Sequence, residues 1–206
     1  TFLRKDIEVV GAGRTDAGVH AKLMIAHFDF DAELDGKTVT DKLNRLLPPD
    51  IAVFDVKKVK PEAHARFDAT ERTYHYYAHT GKNPFDYRLS WQMPEGLDID
   101  AMNRAAAMLV GRRDFTSFSK LHTDVKTNIC DLRRAGWESL GDGRYRFVIT
   151  ADRFLRNMVR AVVGTLVDVG RGKMKPEDIM KVVERRDRCA AGTSMPAHAL
   201  FLWDVK

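Results

Sequence analysis

The chain has 206 residues, and its 34 Lys and Arg residues exceed its 29 Asp and Glu residues, which gives a formal net charge of +5 at pH 7. A hydrophobic fraction of 44% is sufficient for a buried core, and this composition excludes a disordered chain, a collagen-like repeat and a disulfide scaffold. No run of about 18 apolar residues occurs, so no membrane-spanning helix is expected. The length fits one large domain or two small ones.

Short elements are predicted in the first third of the chain. The predicted elements are strands at 7–10, 23–30 and 51–59 and a helix at 36–47. The chain starts with Thr1 and enters a glycine-rich loop after one strand-like run, so we expect its natural beginning to be missing. Residues 61–65 are predicted to be a boundary between two domains or a crossover connection.

The remainder of the chain mixes strands and helices. A long strand is predicted at 66–79, and residues two apart share one face of a strand. That face carries Arg66, Asp68, Thr70, Arg72, Tyr74 and Tyr76. The later predictions are a helix at 100–110, hairpin strands at 132–139 and 144–151, helices at 154–169 and 176–186, and a strand at 198–205. Few βαβ signals occur, which favours an α+β protein with a largely antiparallel sheet.

The sharpest local feature is the loop GAGRTDAGVHA at 11–21. Its Gly13 and Gly18 are five apart, as in a P-loop, but the lysine that contacts the phosphates is absent. It also begins like a dinucleotide-binding turn, but Asp16 replaces the third glycine, and a carboxylate there would repel a pyrophosphate. Two interpretations remain: Asp16 caps a helix, or the loop displays a carboxylate beside a guanidinium.

Five motifs in order resemble the tRNA pseudouridine synthase A family. GRTDAGVHA at 13–21 resembles the signature that carries the family's catalytic aspartate. The other four are RFDATERTYHY at 66–76, DFTSFSK at 114–120, FLRNMVRAVVG at 154–164 and AGTSMPAHALFLWDV at 191–205. Met195 stands where many members have alanine, and Ala199 where many have glycine. The family's usual first strand and helix are absent, in line with the expected missing beginning.

The resemblance implies a fold and an activity. It implies the pseudouridine synthase fold: two α/β-sandwich halves with mainly antiparallel sheets and a catalytic cleft between them. The expected domains are 1–63, with the catalytic loop, and 64–206. The implied enzyme is an isomerase that converts uridine to pseudouridine at positions 38, 39 and 40 in the anticodon stem-loop of tRNA, without cofactor or metal. A cytoplasmic homodimer that holds tRNA is expected, and the target base must be flipped out of the RNA.

The resemblance also assigns residues to catalysis. Asp16 matches the catalytic aspartate and would act as nucleophile or as base. Burial alone disfavours a charged carboxylate, so a nearby cation is needed, and Arg160 of the MVR helix is the expected partner. Without the resemblance, Arg160 would be interpreted as a surface arginine whose stem covers the core. Tyr74 matches the active-site tyrosine, whose ring could stack on the detached uracil or whose phenol could move a proton.

Further residues are expected to contact the substrate. Arg14 would fill the gap left by the flipped base and contact phosphate, and Arg72 and Arg66 are expected to contact the RNA. For Tyr76, a place in the core and a place on an RNA-contacting face are equally weighted. Tyr74 could likewise be a core residue.

Other residues are assigned no chemistry. Phe115 and Phe118 are predicted to anchor the core, and Cys130 and Cys189 are predicted to be reduced, buried thiols. No role is assigned to His20, His27 and His198. The rival functions are a non-catalytic RNA-binding module, which would not need Asp16, and a nucleotide enzyme, which the failed phosphate-loop spacings disfavour.

Overall fold

The computed structural model describes residues 3–120 and 127–206. These residues form two compact units, one made of the described part of Thr1–Ala12 with Ile25–Asp68, the other of Gly13–Met24 with Ala69–Lys206. The domain limits 1–63 and 64–206 stay a prediction. The structure differs from them in that the predicted catalytic loop belongs to the second unit.

Short strands, long strands and helices alternate along the described residues. In chain order they are β1 (Val10–Gly11), β2 (His20–Ala21), β3 (Ala26–His27), α1 (Gly36–Leu46), β4 (Arg72–His79), β5 (Trp91–Gln92), α2 (Ile99–Met108), β6 (Gly111–Asp114), β7 (Ile129–Gly141), β8 (Arg144–Ala151), α3 (Met158–Gly170), α4 (Asp178–Arg185) and β9 (Leu200–Val205).

The first unit contains the helix that the sequence predicts but little of the predicted sheet. Asp35 caps α1 by accepting a hydrogen bond from the Thr38 amide at 3.1 Å. The predicted strands at 7–10 and 23–30 shrink to β1 and β3, which pair antiparallel over two residues each. The prediction of a strand at 51–59 is wrong. The side chain of Asn44 bonds both the N–H and the C=O of Val53 at 2.7 Å, so α1 occupies backbone groups that a neighbouring strand would need.

The second unit is built on one mixed sheet. Its described strands run in the order β2-β9-β4-β8-β7-β6, and β5 pairs with the end of β4. The β2–β9 and β4–β5 pairs are parallel and the others antiparallel. The predicted hairpin is confirmed, and β8 has the predicted limits. A mostly antiparallel α+β protein is therefore confirmed, whereas the sandwich halves and the cleft stay predictions.

The strand predicted at 66–79 begins only at Arg72. The preceding residues form a turn closed by two hydrogen bonds. The amide of His64 donates to Asp68 Oδ2 at 2.7 Å, and the amide of Asp68 donates to the His64 carbonyl at 3.0 Å. This local pairing removes Arg66 from the strand. The predicted face of six side chains is thus reduced to Arg72, Tyr74 and Tyr76.

Three helices form the core of the second unit with one face of this sheet. Tyr76 and Phe147 of the sheet and Val162 of α3 are fully buried in this core. Helix α2 uses Asp98 as its cap, two residues before the predicted start, because Asp98 accepts from the Ala101 amide at 2.7 Å. Helix α3 begins at Met158 rather than at residue 154, because Asn157 has a φ of 68° in the left-handed region.

The other predictions about packing have mixed outcomes. Phe115 and Phe118 are fully buried, as predicted. Cys130 is buried as predicted, but Cys189 is exposed, so that half of the thiol prediction is wrong; both are free. None of the helices in the described ranges is long and apolar enough to cross a membrane.

Candidate active site

The loop that carries Asp16 is fixed by a turn and by the sheet. The amide of Val19 donates to the carbonyl of Asp16 at 3.1 Å, and Gly18 inside this turn has a φ of 82°. A side chain at Gly18 would be strained at that φ, so the turn requires glycine. Directly after it, β2 pairs with β9 in the register His20–Phe201. The loop is therefore held at the edge of the sheet, which gives Asp16 a defined position.

Arg160 is held by α3 and by the segment that precedes β9. Its Nε donates to the carbonyl of Met195 at 2.5 Å, and the amide of Met195 donates back to the carbonyl of Arg160 at 3.1 Å. Helix and segment approach closely, since a Cβ placed on Gly164 would lie 1.8 Å from the Thr193 carbonyl oxygen. Glycine at 164 thus permits the packing that aims the Arg160 guanidinium.

Asp16 and Arg160 form the expected ion pair. Asp16 Oδ2 lies 3.1 Å from Arg160 Nη1, and the two side chains are 25% and 21% exposed. Arg156 Nε lies 3.8 Å from Asp16 Oδ1, but its side chain is 58% exposed. The helix-cap interpretation of Asp16 is wrong, because its carboxylate faces two guanidinium groups and its loop continues into β2. The surface interpretation of Arg160 is also wrong, because its side chain is mostly buried.

Tyr74 is within electrostatic reach of Asp16. Its ring meets Phe154 edge to face, with the centroids 5.1 Å apart. Burial raises the pKa of Tyr74 to about 12, the charge of Arg72 opposes the rise, and the charge of Asp16 adds to it. The phenol is therefore neutral at physiological pH, where it can donate a hydrogen bond but cannot serve as an anionic base.

The three arginines expected to contact substrate lie in different surroundings. Arg72 donates from Nη1 to the carbonyls of Ala69 at 2.6 Å and Asp152 at 2.8 Å, so it ties two backbone segments together. Arg14 is exposed on the Asp16 loop, and Arg66 is exposed in the first unit. Their contacts with RNA stay predictions.

The open question about Tyr76 is answered in favour of the core. Its side chain is fully buried. The opposite side of the sheet also carries aromatic rings: His75, which is buried, stacks on Trp203 at 4.1 Å, and Lys22 Nζ lies 4.1 Å from the Trp203 ring centre. Burial lowers the pKa of His75 to about 4, with nearby Arg146 adding to the effect.

Sequence reasoning missed several supporting residues of this site. Arg156 is recognisable from its spacing of four residues before Arg160, although α3 begins only after it. Two other supporting contacts cannot be recognised in the sequence: the carbonyl of Met195, and the bond from Asn157 Nδ2 to Ser194 Oγ at 2.6 Å. A backbone acceptor or a distant hydroxyl leaves no pattern in the sequence. Among the described residues, no three His, Cys, Asp or Glu side chains are grouped to hold a metal ion.

Comparison with known proteins gives a consistent result over the whole chain. A family model described as tRNA pseudouridine synthase matches residues 105–206. The tRNA pseudouridine synthase A of Bacteroides thetaiotaomicron is 61% identical over 208 residues, which cover 100% of this chain and 77% of that protein. The protein of the same name from Bacteroides fragilis is 59% identical, and the match covers 100% of this chain and 82% of that protein. The protein of the same name from Bacillus subtilis is 39% identical, and the match covers 97% of this chain and 81% of that protein.

Proposed function

The chain belongs to the tRNA pseudouridine synthase A family, and from this premise we propose that it isomerises uridine to pseudouridine in tRNA. The observation that carries the proposal is the mostly buried ion pair between Asp16 and Arg160, with the neutral phenol of Tyr74 within electrostatic reach of Asp16. Binding of RNA alone needs cations and aromatic rings, whereas a carboxylate at the contact would repel the phosphates. A catalytic role of Asp16 on the bound nucleotide explains why a carboxylate lies at this position.

The proposed reaction breaks the N-glycosidic bond, turns the uracil and joins it to the same ribose through a C–C bond. Asp16 acts as nucleophile, in which case a carboxylate oxygen forms a C–O bond with the substrate, or as base, in which case it takes a proton. In either case the carboxylate gives up its negative charge during the reaction. Arg160 keeps the carboxylate ionised before that step, and the fixed loop and helix keep both groups oriented.

The aromatic and cationic residues around the pair have separate proposed roles. The Tyr74 ring stacks on the detached uracil, an interaction of about 1–3 kcal/mol for a base on an aromatic side chain. Its neutral phenol donates a hydrogen bond. Arg14, exposed on the same loop, fills the gap left by the flipped base and contacts a phosphate. Arg72 and Arg66 contact the RNA, and Arg72 does so while it donates hydrogen bonds to two backbone carbonyls.

The proposed targets are positions 38, 39 and 40 in the anticodon stem-loop, and the proposed enzyme is a cytoplasmic homodimer. The support for these finer points is the ordered set of five sequence motifs. The alternative of a non-catalytic RNA-binding module is disfavoured by the Asp16 carboxylate, which is held in an ion pair with Arg160 and which such a module does not need.

The test is a pseudouridine assay on unmodified tRNAs. We expect product in tRNAs that carry uridine at position 38, 39 or 40, and none when these uridines are replaced by cytidine. Product at other sites only would contradict the proposed positions. Binding of tRNA with no product in any tRNA would favour the RNA-binding module.

A further inference from the structure

The hydroxyl of Tyr76 is buried without a hydrogen-bond partner. The side chain is 0% exposed, and no residue within 3–120 or 127–206 bonds its oxygen. Buried tyrosine hydroxyls usually find a partner, and an unpaired one destabilises the fold. A phenylalanine would fill the same space without that cost, so packing alone does not account for a tyrosine at this position.

Tyr76 is buried on the strand that also carries Tyr74. Tyr76 follows Tyr74 by two residues on β4, so both side chains lie on the same face of the strand. Its neighbour across the strand pair is Leu200, which follows shortly after the Met195 segment that binds Arg160. Burial raises the pKa of Tyr76, and the charge of Arg160 counteracts the rise, so the guanidinium is within electrostatic reach of the phenol.

Arg160 has more hydrogen-bond donors than its present acceptors use. In the described part of the chain, Nε donates to Met195 and Nη1 donates to Asp16, whereas a guanidinium carries five N–H groups. Of the two acceptors, only Asp16 carries a charge. In the proposed reaction that charge is consumed, whether the carboxylate forms a C–O bond or takes a proton. Arg160 is then a mostly buried cation without its counter-ion, which is unfavourable unless another acceptor is at hand.

We propose that Tyr76 is a positioning residue whose hydroxyl oxygen accepts a hydrogen bond from the Arg160 guanidinium once Asp16 has lost its charge. This inference rests on the proposed function and deepens it. The hydroxyl is unpaired before the reaction because the bonds to Asp16 and Met195 fix the guanidinium in an orientation in which none of its remaining N–H groups bonds the Tyr76 oxygen. During the reaction it keeps the guanidinium in place, so that Arg160 can receive the Asp16 carboxylate again when its charge returns at the end of the cycle.

The first test is the rate of pseudouridine formation in a single turnover on tRNA. We expect Tyr76→Phe to lose about tenfold in rate, the effect of one hydrogen bond to a charged group, with unchanged tRNA affinity and an unchanged or higher Tm. The matched control is Tyr77→Phe on the opposite face of β4, whose hydroxyl lies 3.3 Å from His75 Nδ1; it should keep the rate of the unmutated protein. If the unmutated protein forms product and Tyr76→Phe is equally fast, the inference is wrong. If the unmutated protein forms none, the proposed function is wrong.

The second test needs no activity. It compares the Tm of four proteins: unmutated, Tyr76→Phe, Asp16→Ala, and the variant with both changes. Removing the hydroxyl should leave or raise the Tm while Asp16 is present. It should lower the Tm in the Asp16→Ala background, where the hydroxyl has become the acceptor for Arg160. A double-mutant cycle isolates this coupling, and the same Tm change in both backgrounds would overturn the inference.

Discussion

Replacement of Arg160 by methionine removes the guanidinium from the Asp16 carboxylate while keeping a long apolar stem. The variant loses a charge-assisted contact of 3.1 Å between side chains that are 21% and 25% exposed. A hydrogen bond to a charged group contributes about 1.5–3 kcal/mol, and partial exposure to solvent reduces this to about 2 kcal/mol. At about 1.4 kcal/mol per factor of ten, the rate of pseudouridine formation should fall by about 30-fold.

Arg156→Met is the matched control, because it removes a second cation from the same carboxylate. Its Nε is 3.8 Å from Asp16 and its side chain is 58% exposed, so about 1 kcal/mol at most is expected. The assay measures single-turnover product formation and, separately, tRNA affinity for both variants. We expect a larger rate loss for Arg160→Met than for Arg156→Met, and for Arg160→Met a larger loss in rate than in affinity. Equal losses of rate and affinity for Arg160→Met would show that Arg160 is a binding residue.

Two further predictions concern stability. Gly164→Ala should lower the free energy of unfolding in urea by about 1–3 kcal/mol, because its Cβ would lie 1.8 Å from the Thr193 oxygen. Gly136→Ala, whose nearest contact would be 3.7 Å away, should cost much less, and equal losses would contradict the close packing. Tyr74 has a pKa of about 12 in the fold against 10.0 ordinarily. The unfolded chain therefore deprotonates first, and this stabilisation of about 2–3 kcal/mol is full below pH 10 and lost between pH 10 and 12. Urea unfolding across that range should show that the free energy of unfolding falls more steeply with pH for the unmutated protein than for Tyr74→Phe. Equal dependence on pH in the two proteins would contradict the raised pKa of Tyr74.

The elements that could be predicted from the sequence are those with local signals. The prolines at 48 and 49 mark the end of α1, and the turn at Gly141 and Gly143 marks the hairpin, since both glycines have a positive φ. These signals act within a few residues, so the chain specifies them without knowledge of the rest of the fold. Helix α3 has the strongest apolar pattern, and the prediction of its body is confirmed.

The errors come from side-chain-to-backbone bonds and a backbone angle that an apolar pattern does not show. The run at 51–59 has the alternation of a strand, but the Asn44 side chain binds its backbone. The start of the strand predicted at 66–79 is lost to the turn closed by Asp68. The apolar pattern of α3 extends to residue 154, yet the left-handed Asn157 sets its beginning. None of these side chains is unusual in sequence, so the alternation pattern alone favours the wrong structure.

The candidate site likewise has residues that could be predicted from the sequence and residues that could not. The ion pair of Asp16 and Arg160 could be predicted, because the family resemblance identified both the carboxylate and the arginine. The carbonyl of Met195, which fixes the guanidinium, could not be predicted, because every residue has a carbonyl. Tyr76 could not be assigned either, because alternation places a side chain on a face without saying what covers that face.

The most direct measurement of the central claim, that the carboxylate of Asp16 carries the chemistry, is the pseudouridine assay on unmodified tRNA with Asp16→Asn. The amide has nearly the shape of the carboxylate, but it has no negative charge and is neither a nucleophile nor a base of comparable strength. We predict that this variant binds tRNA as the unmutated protein does and forms no pseudouridine. Undiminished product from Asp16→Asn would contradict the proposed mechanism.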